Sequence, residues 1–256
     1  MRSGEGEELG PLLGEQAAYY RAIAAEYYDH ALDLPVGEEL TEALEAFRPV
    51  GSVLELACGP GAWTSQLLRH AADITAVDAS PEMLAIAAAR ADGQQVRFIQ
   101  ADLLAWEPDL RYDVVFFGFW LSHVPPPRFE SFWSLVADCL KPQGRVFFVD
   151  DAYRTPDELV EGPSSPVIRR QLNDGTSYRL VKVPHQPANL QKAAQANRLA
   201  HHGHSHRRAV LLGSGNPKLT PRGAAPRPEA RGSPTTQGLT ASAPRSPQPA
   251  HGKRHS

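Results

Sequence analysis

The apolar positions of this chain alternate between two patterns. Short, mainly apolar runs recur at Ser52–Leu56, Asp73–Asp78, Val96–Gln100, Tyr112–Phe117 and Arg145–Asp150. They lack the period of two that marks a strand with one wet face, so they read as strands buried on both sides, as in a parallel sheet. Between them lie stretches with apolar residues at helical spacing. These run from about Trp63 to His70, from Pro81 to Arg90 and from Arg128 to Leu140. Strand alternating with helix predicts an α/β fold with a mainly parallel sheet and helices on both faces.

The flanks add detail. Gln16–Tyr28 combines good helix formers with aromatic residues at helical spacing, Pro35 breaks it, and Glu38–Phe47 forms a second amphipathic helix. Ser80 is placed to cap the second core helix, with Pro81 in its first turn. Residues 154–176 carry Pro156, Gly162, Pro163 and Pro166 and read as loop. Asn173-Asp174-Gly175 is a turn, and Ser177–Val183 alternates like a strand. Pro187–Leu190 reads as the start of a helix.

The chemistry concentrates after the first run, in Glu55-Leu56-Ala57-Cys58-Gly59-Pro60-Gly61. An apolar strand holding one acid meets a glycine turn and then a helix. Gly59 and Gly61 permit a sharp turn and the close approach of a ligand. The dinucleotide fingerprint needs a third glycine where this chain has Thr64, and there is no P-loop lysine, so a phosphate cradle is poorly matched. Asp78 ends the second strand, 17 residues after Gly61, where a carboxylate can take both hydroxyls of a ribose bound over strand one.

These motifs, in this order, resemble those of class I S-adenosylmethionine (SAM) methyltransferases. The first motif, acidic-x-Gly-x-Gly-x-Gly, reads Glu55-x-Ala57-x-Gly59-x-Gly61, with alanine for the first glycine. The resemblance covers residues 15–183 and implies a Rossmann-like fold with S-adenosyl-L-methionine as cofactor. It implies that Glu55, Ala57, Gly59 and Gly61 hold the amino-acid end, Asp78 the ribose, and Asp102 and Leu103 the adenine, with Met83 packed on the ring. Gly118 opens the fourth motif, whose loop passes the methyl group. His123 follows close by and could deprotonate an acceptor, or serve only as a structural histidine. Helices such as those in residues 1–48 cover the cofactor in this family, with Tyr19, Tyr20 and Tyr28 as lid candidates. Lys141-Pro142-Gln143-Gly144 matches the turn before the fifth strand. The implied activity is methyl transfer to a small-molecule acceptor.

Composition divides the chain. All 20 aromatic residues precede Lys192. Residues 192–256 carry a net charge of +10, and residues 1–191 one of −13. A core that acidic repels phosphate, and no Asn-Pro-Pro-Tyr-like motif follows strand four, so nucleic acid is not the expected acceptor. No apolar run reaches the length of a membrane span and the start has no signal-peptide core. Cys58 and Cys139 read as reduced buried thiols of a cytoplasmic protein. No metal site is expected in the core; the four histidines among residues 201–206 are the one metal-like cluster. Nothing in the pattern fixes an oligomeric state.

Three segments follow: a helical lid at 1–48, a SAM-binding core at 49–191 and a basic tail at 192–256, expected to be disordered. The family continues here with a Gly-Trp pair and a final antiparallel hairpin, which is missing. Strand five is then expected to have an open edge, and an inactive remnant of a methyltransferase is the alternative to an enzyme. One set of permitted codons from Lys192, read one base later, gives RRLRQTGWHITVTATAGPFYWGAGT, which restores the missing ending. The tail is therefore expected to be a frame-shifted translation. Sequencing the source DNA across the tail junction tests this, and codons incompatible with the shifted frame would exclude it.

Overall fold

The computed structural model describes residues 5–27, 38–150, 154–185 and 209–213. The chain divides into two units, 1–217 and 218–256, and every described residue lies in the first. Its elements are α1 (Glu5–Ala22), α2 (Glu38–Phe47), β1 (Ser52–Leu56), α3 (Ala62–Leu67), β2 (Asp73–Asp78), α4 (Pro81–Arg90), β3 (Val96–Gln100), β4 (Tyr112–Gly118), α5 (Phe129–Asp138), β5 (Leu140–Asp150), β6 (Val167–Gln171), β7 (Ser177–Val181) and β8 (Ala209–Gly213). A 3-10 turn, Ile23–Glu26, continues α1.

Six strands form one sheet in the order β3-β2-β1-β4-β5-β8, every neighbouring pair parallel. The order turns outward from β1 in both directions, so the crevice of a doubly wound sheet opens at the carboxyl ends of β1 and β4. The central strands are buried on both faces, as their mainly apolar runs require. One face carries Leu54, Leu56, Val115, Phe117 and Phe148 against Phe132, Trp133 and Val136 of α5. The other sets Val53, Val114, Phe116 and Phe147 against Leu44 and Phe47 of α2 and Trp63 and Leu67 of α3. Arg145 fastens α2 to β5: its guanidinium donates to the carbonyls of Phe47 and Arg48 and lies 4.2 Å above the Phe47 ring.

A second, two-stranded sheet pairs β6 and β7 antiparallel around the Asn173–Gly175 turn. The loop expected over 154–176 therefore contains β6, in which Ile168 is buried while Arg169 is exposed. Flanking prolines mask that alternation in the sequence. α1 packs on this hairpin through Tyr19, Ile23 and Ala24, which meet Ile168, Leu172 and Leu180. The ends of that contact are tied by polar groups. Glu15 receives Arg179 at 2.6 Å, and Gln16 accepts from the Val181 N–H at 3.0 Å.

Two expectations are corrected. Strand five begins at Leu140 and includes the Lys141–Gly144 segment expected as a turn, with a register shift between Tyr112 and Val114 on its neighbour. The tail is not wholly without structure, because Ala209–Gly213 pairs in parallel with Val146–Asp150 and covers the edge of β5. The rest of the tail, the four histidines, Tyr28, Pro35 and Pro187–Leu190 lie outside the described residues. Among the described residues no helix is long and apolar enough to cross a membrane.

Candidate active site

At the carboxyl end of β1 the backbone turns through three residues with positive φ: Ala57 at 53°, Gly59 at 53° and Gly61 at 81°. A Cβ on Gly61 would lie 3.0 Å from the Cα of Ala87, so this glycine lets α3 pass close to α4. A Cβ on Gly59 would meet no heavy atom within 4 Å, so that part of the loop faces free space. Ala57 carries its side chain into a conformation that glycine adopts freely, at a cost of about 1 kcal/mol. Phe119, just past Gly118, is strained in the same way at φ 56°.

Asp78 holds the loop in place. Its Oδ2 accepts from the Gly59 N–H at 2.8 Å and its Oδ1 from the Ser80 N–H at 2.9 Å. The Cys58 N–H bonds the Val77 carbonyl at 3.1 Å, so loop and β2 end are joined twice. Burial raises the Asp78 carboxyl above its usual range, and the backbone bonds oppose that rise. The Ala79 N–H also bonds this carboxylate, so three backbone donors share its roughly four lone-pair sites. Ala101 donates to the carbonyl of Asp78 at 3.0 Å, which brings Asp102 beside it. Asp102 is exposed and caps its own turn, accepting from the Leu104 N–H at 2.9 Å.

Glu55 lies beneath the loop, 1 % exposed, and accepts from the Thr64 hydroxyl at 2.6 Å. Burial pushes its carboxyl up to about 8; the Thr64 bond opposes this and the nearby Asp78 adds to it. Gly118 is covered by Trp63, whose indole nitrogen would lie 2.6 Å from a Cβ built there. Two residues expected at the adenine, Met83 by its side chain and Leu103 by its backbone N–H, have buried side chains. Met83 is 1 % exposed and packs among Tyr19, Ile23 and Ile168. The Leu103 side chain is enclosed in the core beside Leu54 and Val77.

His123 sits between α1, β7 and the turn after β4, and is 4 % exposed. Its Nδ1 lies 2.6 Å from the Val181 carbonyl, which can only accept, so Nδ1 carries the proton. Its Nε2 then accepts from the Tyr20 hydroxyl at 3.1 Å. Both nitrogens are thereby used. Burial drives the imidazole well below its ordinary pKa, and the charges of Lys182 and Arg170 act in the same direction. The ring is a buried, neutral fixture with both nitrogens bonded.

Comparison with known proteins accords with this arrangement. A family model described as a methyltransferase domain matches residues 53–144. A solved complex titled DhpI-SAM-HEP is 41% identical and superposes with a TM-score of 0.63, over 72% of this chain and 88% of that one. The chain belongs to the class I SAM-dependent methyltransferases. Its cofactor is S-adenosyl-L-methionine. Trans-aconitate 2-methyltransferase of Escherichia coli O157:H7 (strain EC4115 / EHEC) is 37% identical over 114 residues, 44% of this chain. The match spans 42% of the length of that relative. A SAM-dependent methyltransferase of Clostridium acetobutylicum ATCC 824 shares the fold, with a TM-score of 0.52 at 16% identity, over 68% of this chain and 85% of that one.

The candidate residues Glu55, Gly59, Gly61 and Asp78 stood out in the sequence because they lie in or just after strand ends. Lys182, Arg170 and Gln16 did not, since nothing in sequence distinguishes them from surface residues. Their only signal is position after a strand or within a lid helix.

The buried Glu55 sets a pH dependence. The unfolded carboxyl titrates near 4.5 and the folded one near 8. Below the unfolded value both states hold the proton and nothing is lost. As pH rises from there toward the folded value, the unfolded chain ionises first and stability falls. Glu55→Gln in the ligand-free chain should therefore match wild type at about pH 4.5 and exceed it by about 1–3 kcal/mol at about pH 9. Urea unfolding at the two pH values checks this, and a difference that does not grow with pH would contradict it.

Proposed function

We propose that this chain transfers the methyl group of SAM to a small-molecule acceptor. The observation that carries the reading is the pairing of Asp78 with the Gly59 backbone beside a loop surface left open. When bound, the cofactor supplies an electrophilic sulfonium methyl. The chain's part is to bind, orient and exclude water. In this reading the Asp78 carboxylate takes the ribose hydroxyls, and the Gly59–Gly61 backbone and Glu55 bear on the amino-acid end. Asp102 and the backbone at Leu103 serve the adenine. α1 closes the site from above, as its tyrosines and Gln16 suggest.

Support for a small acceptor comes from the relatives. One is named for a small acid, trans-aconitate. In this reading α1, the β6–β7 hairpin and the turn after β4, which meet around His123, wall the acceptor side. His123 acts here as a positioning residue: it fixes the Tyr20 hydroxyl and joins that turn to β7.

Methyl-labelled SAM incubated with the full chain and a small-molecule extract tests this. Label should pass to a low-mass product, and Asp78→Asn should cut kcat/KM for SAM by about 10–100-fold, the equivalent of roughly 1.4–2.7 kcal/mol of lost transition-state stabilisation. Label that stays in SAM with every fraction would favour the inactive-remnant reading. Label recovered in nucleic acid would overturn the acceptor class.

A further inference from the structure

This inference rests on the methyltransferase reading and concerns how the amino-acid end of the cofactor is held. Trp63, in the first turn of α3, is 7% exposed. Its ring packs against Phe116 of β4, with centroids 5.0 Å apart, and reaches along that strand to Gly118. Nε1 is the atom nearest to where a Gly118 Cβ would lie, at 2.6 Å, with Cδ1 next at 2.9 Å. Glycine at 118 is therefore what makes room for the nitrogen edge of the indole. That nitrogen has no hydrogen-bond partner among the described residues. Nor is it sealed in, unlike the partnerless nitrogens of Trp120 and Trp133. A tryptophan more than nine-tenths buried thus keeps a free donor at the end of β4.

The sheet order locates this donor. Asp78 ends β2, β1 lies beside it, and β4 follows on the far side of β1. Leu56 of β1 pairs with Phe117 of β4, so the two strands end side by side at Ala57 and Gly118. With the ribose at Asp78 and the adenine toward β3, the rest of the cofactor runs the other way, across β1 to β4. That is two strand spacings, roughly 10 Å. Charge and chemistry then select the group that meets the indole. Glu55 and Asp78 form an acidic corner at β1 and β2, where an ammonium is favoured and a carboxylate repelled. The carboxylate is turned toward β4. An indole N–H can only donate, so it suits a carboxylate and not an ammonium.

We propose that Trp63 is a cofactor-binding residue whose indole N–H donates to the carboxylate of the amino-acid end of SAM, and that position 118 is glycine to keep this donor in place. The ring is well suited to the task. Packing on Phe116 fixes its plane, so little conformational freedom is lost when the bond forms. Its neighbour Thr64 bonds Glu55 at 2.6 Å, so one turn of α3 serves both ends of the amino-acid group. Glu55 lies on the ammonium side and Trp63 on the carboxylate side.

The test is calorimetric titration of the full chain with S-adenosylhomocysteine and with its decarboxylated analogue, which keeps the amine. Trp63→Phe should weaken S-adenosylhomocysteine by about 10–100-fold, the range for a hydrogen bond to a charged group, and leave the analogue within about 3-fold. Gly118→Ala, which keeps the N–H but displaces it, should cause the same selective loss. Equal losses for the two ligands would show that Trp63 only packs, and would overturn the proposal. If neither variant folds, the wild-type chain labelled with nitrogen-15 at its four tryptophans decides. One indole N–H signal should move downfield with S-adenosylhomocysteine and not with the analogue; signals that respond alike to both overturn the proposal. Wild type separates the two failures. If it binds both ligands and Trp63 makes no distinction between them, this inference is wrong and the methyltransferase reading stands. If it binds neither, that reading falls as well.

Discussion

The carboxylate of Asp78, held between the N–H groups of Gly59 and Ser80, is the constraint on which the site depends. It joins the first βα loop to the tip of β2. It also places a buried negative charge beside Glu55, so the two acids share one poorly solvated corner. That costs stability in the ligand-free chain. The cost is recovered when a ligand brings hydroxyls and a positive charge to the same place. The strained backbone at Ala57 and Phe119 belongs to the same economy, since both lie where β1 and β4 end at the crevice.

The surroundings of His123 are built differently: side chains from separate segments lock together there. Gln16 reaches from α1 to both the His123 carbonyl and the Val181 N–H. The Ser122 N–H bonds Asp150 at the end of β5, and Val183 bonds the Ser122 carbonyl. His123 thus sits at a crossing of three elements. Its neutral, doubly bonded ring explains why a histidine close to the chemistry need not act as a base.

The central sheet was legible because burial on both faces leaves mainly apolar runs. β2 and β3 match their expected bounds, Asp73–Asp78 and Val96–Gln100. Asp78, Gly59 and Gly61 were legible because the βα turn requires glycine and the crevice requires an acid at a strand tip. Met83 was not, since only tertiary packing reveals that α1 and the hairpin cover it. β6 was hidden by the prolines around it. β8 was hidden by its surroundings: Ala209-Val210-Leu211-Leu212 is a short apolar run in a tail otherwise too polar to fold, and a parallel edge strand needs no more than that. Its pairing leaves β5 with a neighbour where the family's antiparallel hairpin was expected, and the shifted-frame origin of residues 192–256 remains our proposal for the abrupt change in composition.

The central claim is that the open loop beside Asp78 is a working SAM site in this chain as it stands. Thermal unfolding of the purified full chain with and without S-adenosylhomocysteine tests it most directly. Ligand at about 100 times its Kd should add about 2.7 kcal/mol to the folded state and raise a single cooperative transition. A cooperative transition that stays in place would contradict the claim, and the absence of any cooperative transition would show that the chain with this tail does not hold the site together.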